Sequence, residues 1–445
     1  MTALKAFVFT ITTICLIVYQ FLGDLFGGAL SYVFSHPNWP FLLLFVFRYL
    51  RLVLNTVFSY FIYRPAEVNA LPSYTPYNVT AILPTVDPHN KDFIECVRTC
   101  LANKPRQLII VVVGKQVAED TENIVEQFRR NSSIITVLFI SETSKRKQIV
   151  EAIPHITTEI TVLLDDHVFW PSPHFLQGVL AAFEDPKVGG VGTNKRVRRT
   201  EKGFTFKAFW NLIGAIYLER RNFEARATNA IDGGVSTISG RTSIHRSEIL
   251  KEKEFIDGFT NERFFFGMFG PLNADDDKFI TRYEVRKGWD IKIQDCEDTL
   301  VETTLGTYPK YLSQCLRWVR TQWRSNTASL LTDGTVWRRQ PWCVYSIYMS
   351  SLVNFALLYD TALIYNFLRT TYYQSGVSIL YLLVWIFASK VVKLIPYFTR
   401  EPKDLIFLPG YFAFAYYHSL IKLYALFTFY VIAWGGRNLA LASAK

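Results

Sequence analysis

Asp275, Asp276 and Asp277 stand in a row, with Thr281 and Arg282 just behind them, and Gln314, Arg317 and Trp318 follow at the spacing Gln-x-x-Arg-Trp. A carboxylate set beside other carboxylates finds its charged form disfavoured, so its pKa moves toward the range where it accepts a proton from an attacking hydroxyl. Arginine offers a planar fork matched to phosphate oxygens, and an indole offers a flat apolar face for a pyranose ring. Transfer of a sugar from a phosphorylated donor needs all three. Each group also has a plainer reading: the acids as a helix N-terminus favoured by the dipole, Arg317 and Trp318 as anchors of an interfacial helix.

A second constellation, Asp165, Asp166 and His167, ends the apolar run 160–164. Two carboxylates and an imidazole suit a divalent cation bridging phosphate oxygens; a capping turn before Pro171 is the alternative. Lys145, Arg146 and Lys147 open a helical segment, a natural seat for a diphosphate. Glycines in Asp232-Gly233-Gly234 and before Arg241 permit close backbone approach to a ligand.

These groups need a scaffold, and composition bounds it. The chain has 445 residues, half of them apolar and 16% aromatic, with a net charge of +10. That is more apolar than a soluble enzyme usually is, so membrane spans are expected. The basic excess suits anionic lipid or a phosphorylated substrate. Nucleic acid is not expected as a partner, since there is no zinc-ligand spacing and no basic-aromatic stripe. The six cysteines form no Cys-x-x-Cys pair and read as reduced thiols.

Residues 4–22 and 39–63 are each long and apolar enough to span. Arg48 and Arg51 in the second are costly unless they face protein, water or an anion, which predicts a helix either tilted against other helices or lining a polar path, the second preferred. From 66 to 307 the pattern turns to alternating strands (79–84, 107–113, 134–140, 160–164) and helices (90–102, 121–130, 144–156), with a further helix over 204–228. The alternation predicts a mostly parallel sheet with helices on both faces and ligands at the carboxyl ends of the strands. Asp87, the 141–147 segment and the 165–167 cluster fall at those ends.

Apolar runs return at 343–367, 377–395 and 405–434. The last predicts either an interfacial helix plus a re-entrant one, or a hairpin of two short helices turning near 417–420. Lys390, Lys393, Arg400 and Lys403 follow one run, whereas 24–40 has no Lys or Arg. The positive-inside rule therefore puts the amino terminus and the α/β region in the cytosol, and the sequons at Asn78 and Asn131 are expected to be unmodified. The expected organisation is membrane helices over 1–65, the α/β domain over 66–307, an interfacial helix over 308–340, and membrane or interfacial helices over 341–445.

The order of motifs, with an acidic strand end, Ser-Gly followed by arginine at 246, Asp-Asp-x-x-x-Ile-Thr, Gln-x-x-Arg-Trp and a late Trp-Gly-x-Arg, resembles the processive membrane glycosyltransferases of family 2. It is similar above all to hyaluronan synthases and fungal capsule-type polysaccharide synthases, over nearly the whole chain. The resemblance implies a Rossmann-like glycosyltransferase-A domain inserted between transmembrane helices of a plasma-membrane protein. It implies a metal-dependent inverting hexosyltransferase that elongates a glycan from a nucleotide sugar, UDP-linked, and moves it across the membrane; transfer of one sugar to a membrane lipid is the alternative. Asp277 would be the base, with Asp276 its neighbour in the motif. Asp87, Lys145, Arg146, Asp165, Gln314, Arg317, Trp434 and Arg437 would hold the nucleotide sugar. Ser239, Gly240, Arg246 and Trp318 would meet the acceptor, and Asp165, Asp166 and His167 would hold Mn²⁺ or Mg²⁺. Three departures stand out: histidine where the family's Asp-x-Asp has its second acid, no aspartate after the second strand for a uracil, and no glycine before the acids at 275–277.

Overall fold

The computed structural model describes residues 36–129 and 134–432. The run 4–22, the sequon at Asn131, and Trp434 and Arg437 lie outside them. The chain divides into two compact units, one of residues 54–355 with 391 onward, the other of residues up to 53 with Ala356–Lys390.

The larger unit is built on nine strands: β1 Val79–Pro84, β2 Gln107–Val113, β3 Ile134–Ile140, β4 Ile160–Leu164, β5 Val168–Phe169, β6 Val188–Val197, β7 Thr242–Arg246, β8 Asp290–Gln294 and β9 Leu300–Thr303. They join in the order β3-β2-β1-β4-β7-β6-β9-β5, with β8 also on β6. The first four are parallel and match the four runs read from sequence. Strands β1, β2 and β4 are buried on both faces, which is why they read as continuous apolar runs. Their side chains alternate between two cores: Ala81, Leu83, Leu108, Ile110, Val162 and Leu164 on one face, Ile82, Ile109, Val111 and Leu163 on the other.

The sheet is mixed rather than mostly parallel beyond β4, because β7 runs antiparallel to both β4 and β6. That reversal matters for the site. Leu164 at the end of β4 sits opposite Thr242 at the start of β7, so the residues just before β7 arrive where Asp165 leaves the sheet, and Asp165 N donates to Arg241 O at 2.9 Å.

Among the described residues two helices, Trp39–Ile62 and Gly376–Arg400, are long and apolar enough to cross a membrane. The expected span 343–367 is broken: the helix stops at Val353, Asn354 is non-helical, and a new helix starts at Ala356. The Asn354 carbonyl, freed from the helical ladder, accepts from Lys422 Nζ at 3.0 Å. The run 405–434 holds one continuous helix, Leu408–Phe427, with no turn at 417–420. Its Tyr411, Phe412 and Phe414 pack with Leu212, Ile216 and Tyr311 of the larger unit, so the hairpin expectation is overturned by packing onto the α/β body.

In the smaller unit Phe41, Tyr49, Leu363, Phe367, Leu382 and Ile386 form a core. Asp360 ion-pairs with Arg48 and, at 2.6 Å, with Lys390 Nζ. Arg48 is thus matched by a carboxylate inside the helix cluster, the arrangement a charge at that depth requires. Cys96, Cys100, Cys296, Cys315 and Cys343 are free.

Candidate active site

The carboxyl ends of β1 and β4, the loop before β7 and the helices Phe206–Asp232, Asp276–Lys287 and Lys310–Thr327 enclose a cavity of about 460 Å³. Its lining brings together Lys145, Asp165, Asp166, His167, Ser239, Gly240, Asp276, Asp277, Gln314, Arg317 and Trp318. Residues from β4 to the Lys310–Thr327 helix, far apart in sequence, meet there.

The three acids part ways. Asp275 adopts the left-handed conformation, φ 64° and ψ 28°, which aspartate tolerates better than most residues. Its carboxylate accepts from Arg324 Nε at 2.8 Å and Nη2 at 3.1 Å and from Thr321 Oγ1 at 2.5 Å. Asp275 therefore stands in the conformation a glycine before the acids would supply. Asp276 begins the next helix, and its Oδ2 lies 2.8 Å from Lys145 Nζ. Burial works against its charge, but Lys145 outweighs burial and holds its pKa down. Asp277 goes the other way: burial, then the Asp276 charge beside it, push its pKa up. Its Oδ2 accepts from Gly240 N at 3.3 Å and its Oδ1 from Lys278 N at 2.8 Å. A Cβ on Gly240 would come within 3.3 Å of Asp277 Cβ and 3.4 Å of Lys145 Nζ, so glycine lets the β7 loop close on the acids. Two adjacent carboxylates with pKa values driven apart are the usual signature of one group tuned to take a proton.

Lys145 Nζ also lies 2.8 Å from Asp165 Oδ1. Burial opposes its charge, but the two carboxylates outweigh that and raise its pKa. Asp166 Oδ2 accepts from Thr85 Oγ1 at 2.8 Å, and its Oδ1 is 3.1 Å from His167 Nδ1. The expected trio is therefore not a preassembled cage: among the described residues no three His, Cys, Asp or Glu side chains group around one point. Adjacent carboxylates at a strand end still fit a hard cation that takes its other ligands from phosphate oxygens and water, as Mg²⁺ and Mn²⁺ commonly do.

On the helix Lys310–Thr327, Gln314, Arg317 and Trp318 face the cavity, as their i, i+3 and i+4 spacing dictates. Gln314 Oε1 is buried without a hydrogen-bond partner, an orphan acceptor of the kind that points to a missing ligand. The Trp318 ring stacks on Tyr217 at 4.7 Å and 11°, and the Arg241 guanidinium stands over it at 5.8 Å.

A family model described as glycosyltransferase-like family 2 matches residues 78–321, a stretch that carries every cavity-lining residue named above. The chain belongs to glycosyltransferase family 2. A type 2 glycosyltransferase of Pyricularia oryzae is 39% identical over 421 residues, covering 92% of this chain and 84% of that protein. A type 2 glycosyltransferase of Zymoseptoria tritici is 40% identical over 406 residues, covering 90% and 83%. In fold, the chain is similar to the mannosyltransferase PcManGT of Pyrobaculum calidifontis, solved with GDP-Man and Mn²⁺, at a TM-score of 0.54 and 16% identity, covering 90% of this chain and 100% of that one.

Three residues of this family-2 glycosyltransferase assigned by motif, Arg146, Arg246 and Asp87, are not brought to the cavity. Arg146 is 1% exposed on its side chain and points into the protein, where it bonds Phe259 O and Ala274 O at 2.7 Å and Glu262 at 2.6 Å. By holding Ala274 it fixes the loop that presents the acids from behind, because the helix turns one of two adjacent basic side chains outward and the other inward. Arg246 is buried at the end of β7 opposite Ile160, the start of β4, where it bonds Val188 O, Phe183 O and Asp185 O. It lies the whole length of a strand from Asp165. Asp87 is exposed one residue beyond the cavity-lining Thr85 and Val86.

Five lining cations were not singled out by motif: Lys195 on β6, Arg221 on the Phe206–Asp232 helix, Arg241 before β7, Lys278 beside Asp277 and Lys310 at the start of the Lys310–Thr327 helix. A usable signal existed in the run Gly189 to Arg196, where glycines give way to a basic pair at a strand end. Burial first, then Arg221, lower the pKa of both Lys195 and Lys278 to about 7. Burial also lowers that of Arg241.

Proposed function

We propose that the protein is an inverting hexosyltransferase that takes a sugar from a nucleotide sugar, UDP-linked, and adds it to a growing glycan. Asp277 accepts the proton of the acceptor hydroxyl. The hydroxyl oxygen bonds to the anomeric carbon, the bond from that carbon to the phosphate oxygen breaks, and its electron pair leaves on the nucleoside diphosphate. Gln314 and Arg317 hold the diphosphate, and Lys145 keeps Asp276 ionised so that Asp277 stays the more basic of the pair. A divalent cation beside Asp165 and Asp166, Mn²⁺ or Mg²⁺, would neutralise charge on the leaving diphosphate. Trp318 and the Ser239-Gly240 loop line the acceptor end. The observation that carries this reading is Asp277 itself, a cavity carboxylate raised in pKa beside one held low.

The two apolar helices support an integral membrane protein, and in this reading its catalytic domain stands at the cytosolic face of the plasma membrane and hands the polymer across. The alternative is transfer of one sugar to a membrane lipid. The test is release of nucleoside diphosphate by the purified protein in Mn²⁺ over a panel of nucleotide sugars, with Asp277→Asn as control and product size measured by gel filtration. Turnover that drops about 10²-fold or more in the variant is expected; normal turnover by Asp277→Asn sinks the assignment. A large product favours the polymer, a lipid-soluble monoglycoside the single transfer.

A further inference from the structure

The cavity holds more positive charge than its donor end uses. Lys195 is 7% exposed and lines the cavity, yet its Nζ makes no hydrogen bond or ion pair among the described residues. Arg241 Nε is buried without a partner, and its guanidinium stands 5.8 Å from the Trp318 ring centre rather than on a carboxylate. Lys278 Nζ and Arg221 Nη2 converge on one residue, Ser236, at 2.8 Å to its carbonyl and 3.3 Å to its hydroxyl. Lys278 Nζ also donates to Asn326 Oδ1 at 3.2 Å, and the carboxylate near Arg221, Glu224 at 3.8 Å, is already held by Lys393 at 2.7 Å. Desolvated cations crowded together destabilise one another and the fold unless an anion joins them.

Their placement says which substrate that anion belongs to. Lys195 and Lys278 both feel the charge of Asp277, the group that would face the acceptor hydroxyl. The other carboxylate near Lys195, Asp295, is already engaged by Arg226. Only Arg241 reaches both ends, feeling Asp165 as well as Asp277. The donor diphosphate has its own set in Gln314, Arg317 and the cation that Asp165 and Asp166 would hold.

We infer that the acceptor end of the cavity is an anion site, in which Lys195, Arg221, Arg241 and Lys278 receive a phosphate carried close to the hydroxyl that is glycosylated. This rests on the assignment of Asp277 as the base. A lipid headgroup and a soluble sugar or polyol phosphate share that chemistry.

The experiment uses the full-length protein with the nucleotide sugar that turns over, in two arms. The soluble arm compares myo-inositol 1-phosphate with myo-inositol; the lipid arm compares nanodiscs containing phosphatidylinositol with nanodiscs containing diacylglycerol. In at least one arm the phosphorylated acceptor is expected to exceed its neutral counterpart about tenfold or more in kcat/KM, the worth of a charge-assisted contact. The arm in which it does so names the source. Lys195→Gln should collapse the preference to about threefold or less, and Lys195→Arg should retain it. Donor hydrolysis with no preference in either arm, or a preference that survives Lys195→Gln, overturns the anion site and leaves the role of Asp277 standing. No diphosphate release with any nucleotide sugar takes down the glycosyl-transfer reading, and the anion site falls with it.

Discussion

Lys145 Nζ lies 2.8 Å from Asp276 Oδ2 and at the same distance from Asp165 Oδ1. One ammonium thus ties the strand-end acid of β4 to the acid at the start of the helix Asp276–Lys287. Without it, Asp276 would share the burial that already raises Asp277, and the two carboxylates would contend for one proton.

Lys145→Met should therefore move the acid limb of kcat/KM upward by about one pH unit, because both acids must be ionised in this arrangement and the pair would then hold its proton to higher pH. The loss relative to the parent is larger at pH 6 than at pH 8. A pH profile of diphosphate release decides it; an unmoved acid limb would limit Lys145 to holding the two elements together.

Asp275→Asn leaves the Arg324 guanidinium buried with its counter-charge gone. Breaking a buried pair from one side typically costs about 3–5 kcal/mol. Thermal unfolding of the detergent-solubilised protein should show a fall of several degrees, whereas a surface pair would show almost none.

Arg146→Met removes the contacts to Phe259 O, Ala274 O and Glu262. Glu262 keeps Arg282, so the loss should be smaller than for Asp275, about 1–3 kcal/mol. Donor KM is expected to stay within about twofold, since the side chain points away from the cavity; a KM rise of tenfold would return Arg146 to the nucleotide.

Lys195→Met should raise thermal stability at neutral pH. Its folded pKa of about 7 lies below the unfolded value of about 10.4, so the unfolded chain binds more protons between those limits. The charge thus costs most below pH 7, and the cost fades as pH rises toward the unfolded pKa. The gain from Lys195→Met, on the order of 2 kcal/mol, is expected at pH 6–7 and should vanish near pH 10. A gain that is independent of pH would show better packing rather than charge removal.

The central sheet was legible where burial is two-sided. Runs such as Gln107–Val113 admit few other readings, and the strand ends led directly to Asp165 and Lys145. Strand β6 escaped because Val188–Val197 carries three glycines and a polar tail, and β5 because two residues make no pattern. With β6 unread, Lys195 had no place in the site. Hydropathy found the apolar helix within Gly376–Arg400 but not how 405–434 is arranged: it measures how apolar a helix is, and Leu408–Phe427 packs Tyr411, Phe412 and Phe414 on the α/β body. Motif spacing likewise carries no information about which side of a helix faces the cavity, as at Arg146, or which end of a strand does, as at Arg246.

The left-handed turn at Asp275 makes two positions evolve as one. A glycine at 275 would relieve the backbone yet abandon Arg324, and a neutral residue at 324 would abandon Asp275 in a conformation most side chains resist. Each single change passes through a less stable protein, while Asp275→Gly together with Arg324→Met should be tolerated far better than either alone. Among relatives of this enzyme, then, the residue before the paired acids and the residue seven places past Arg317 should switch together, an epistatic pair that can be counted before any protein is made.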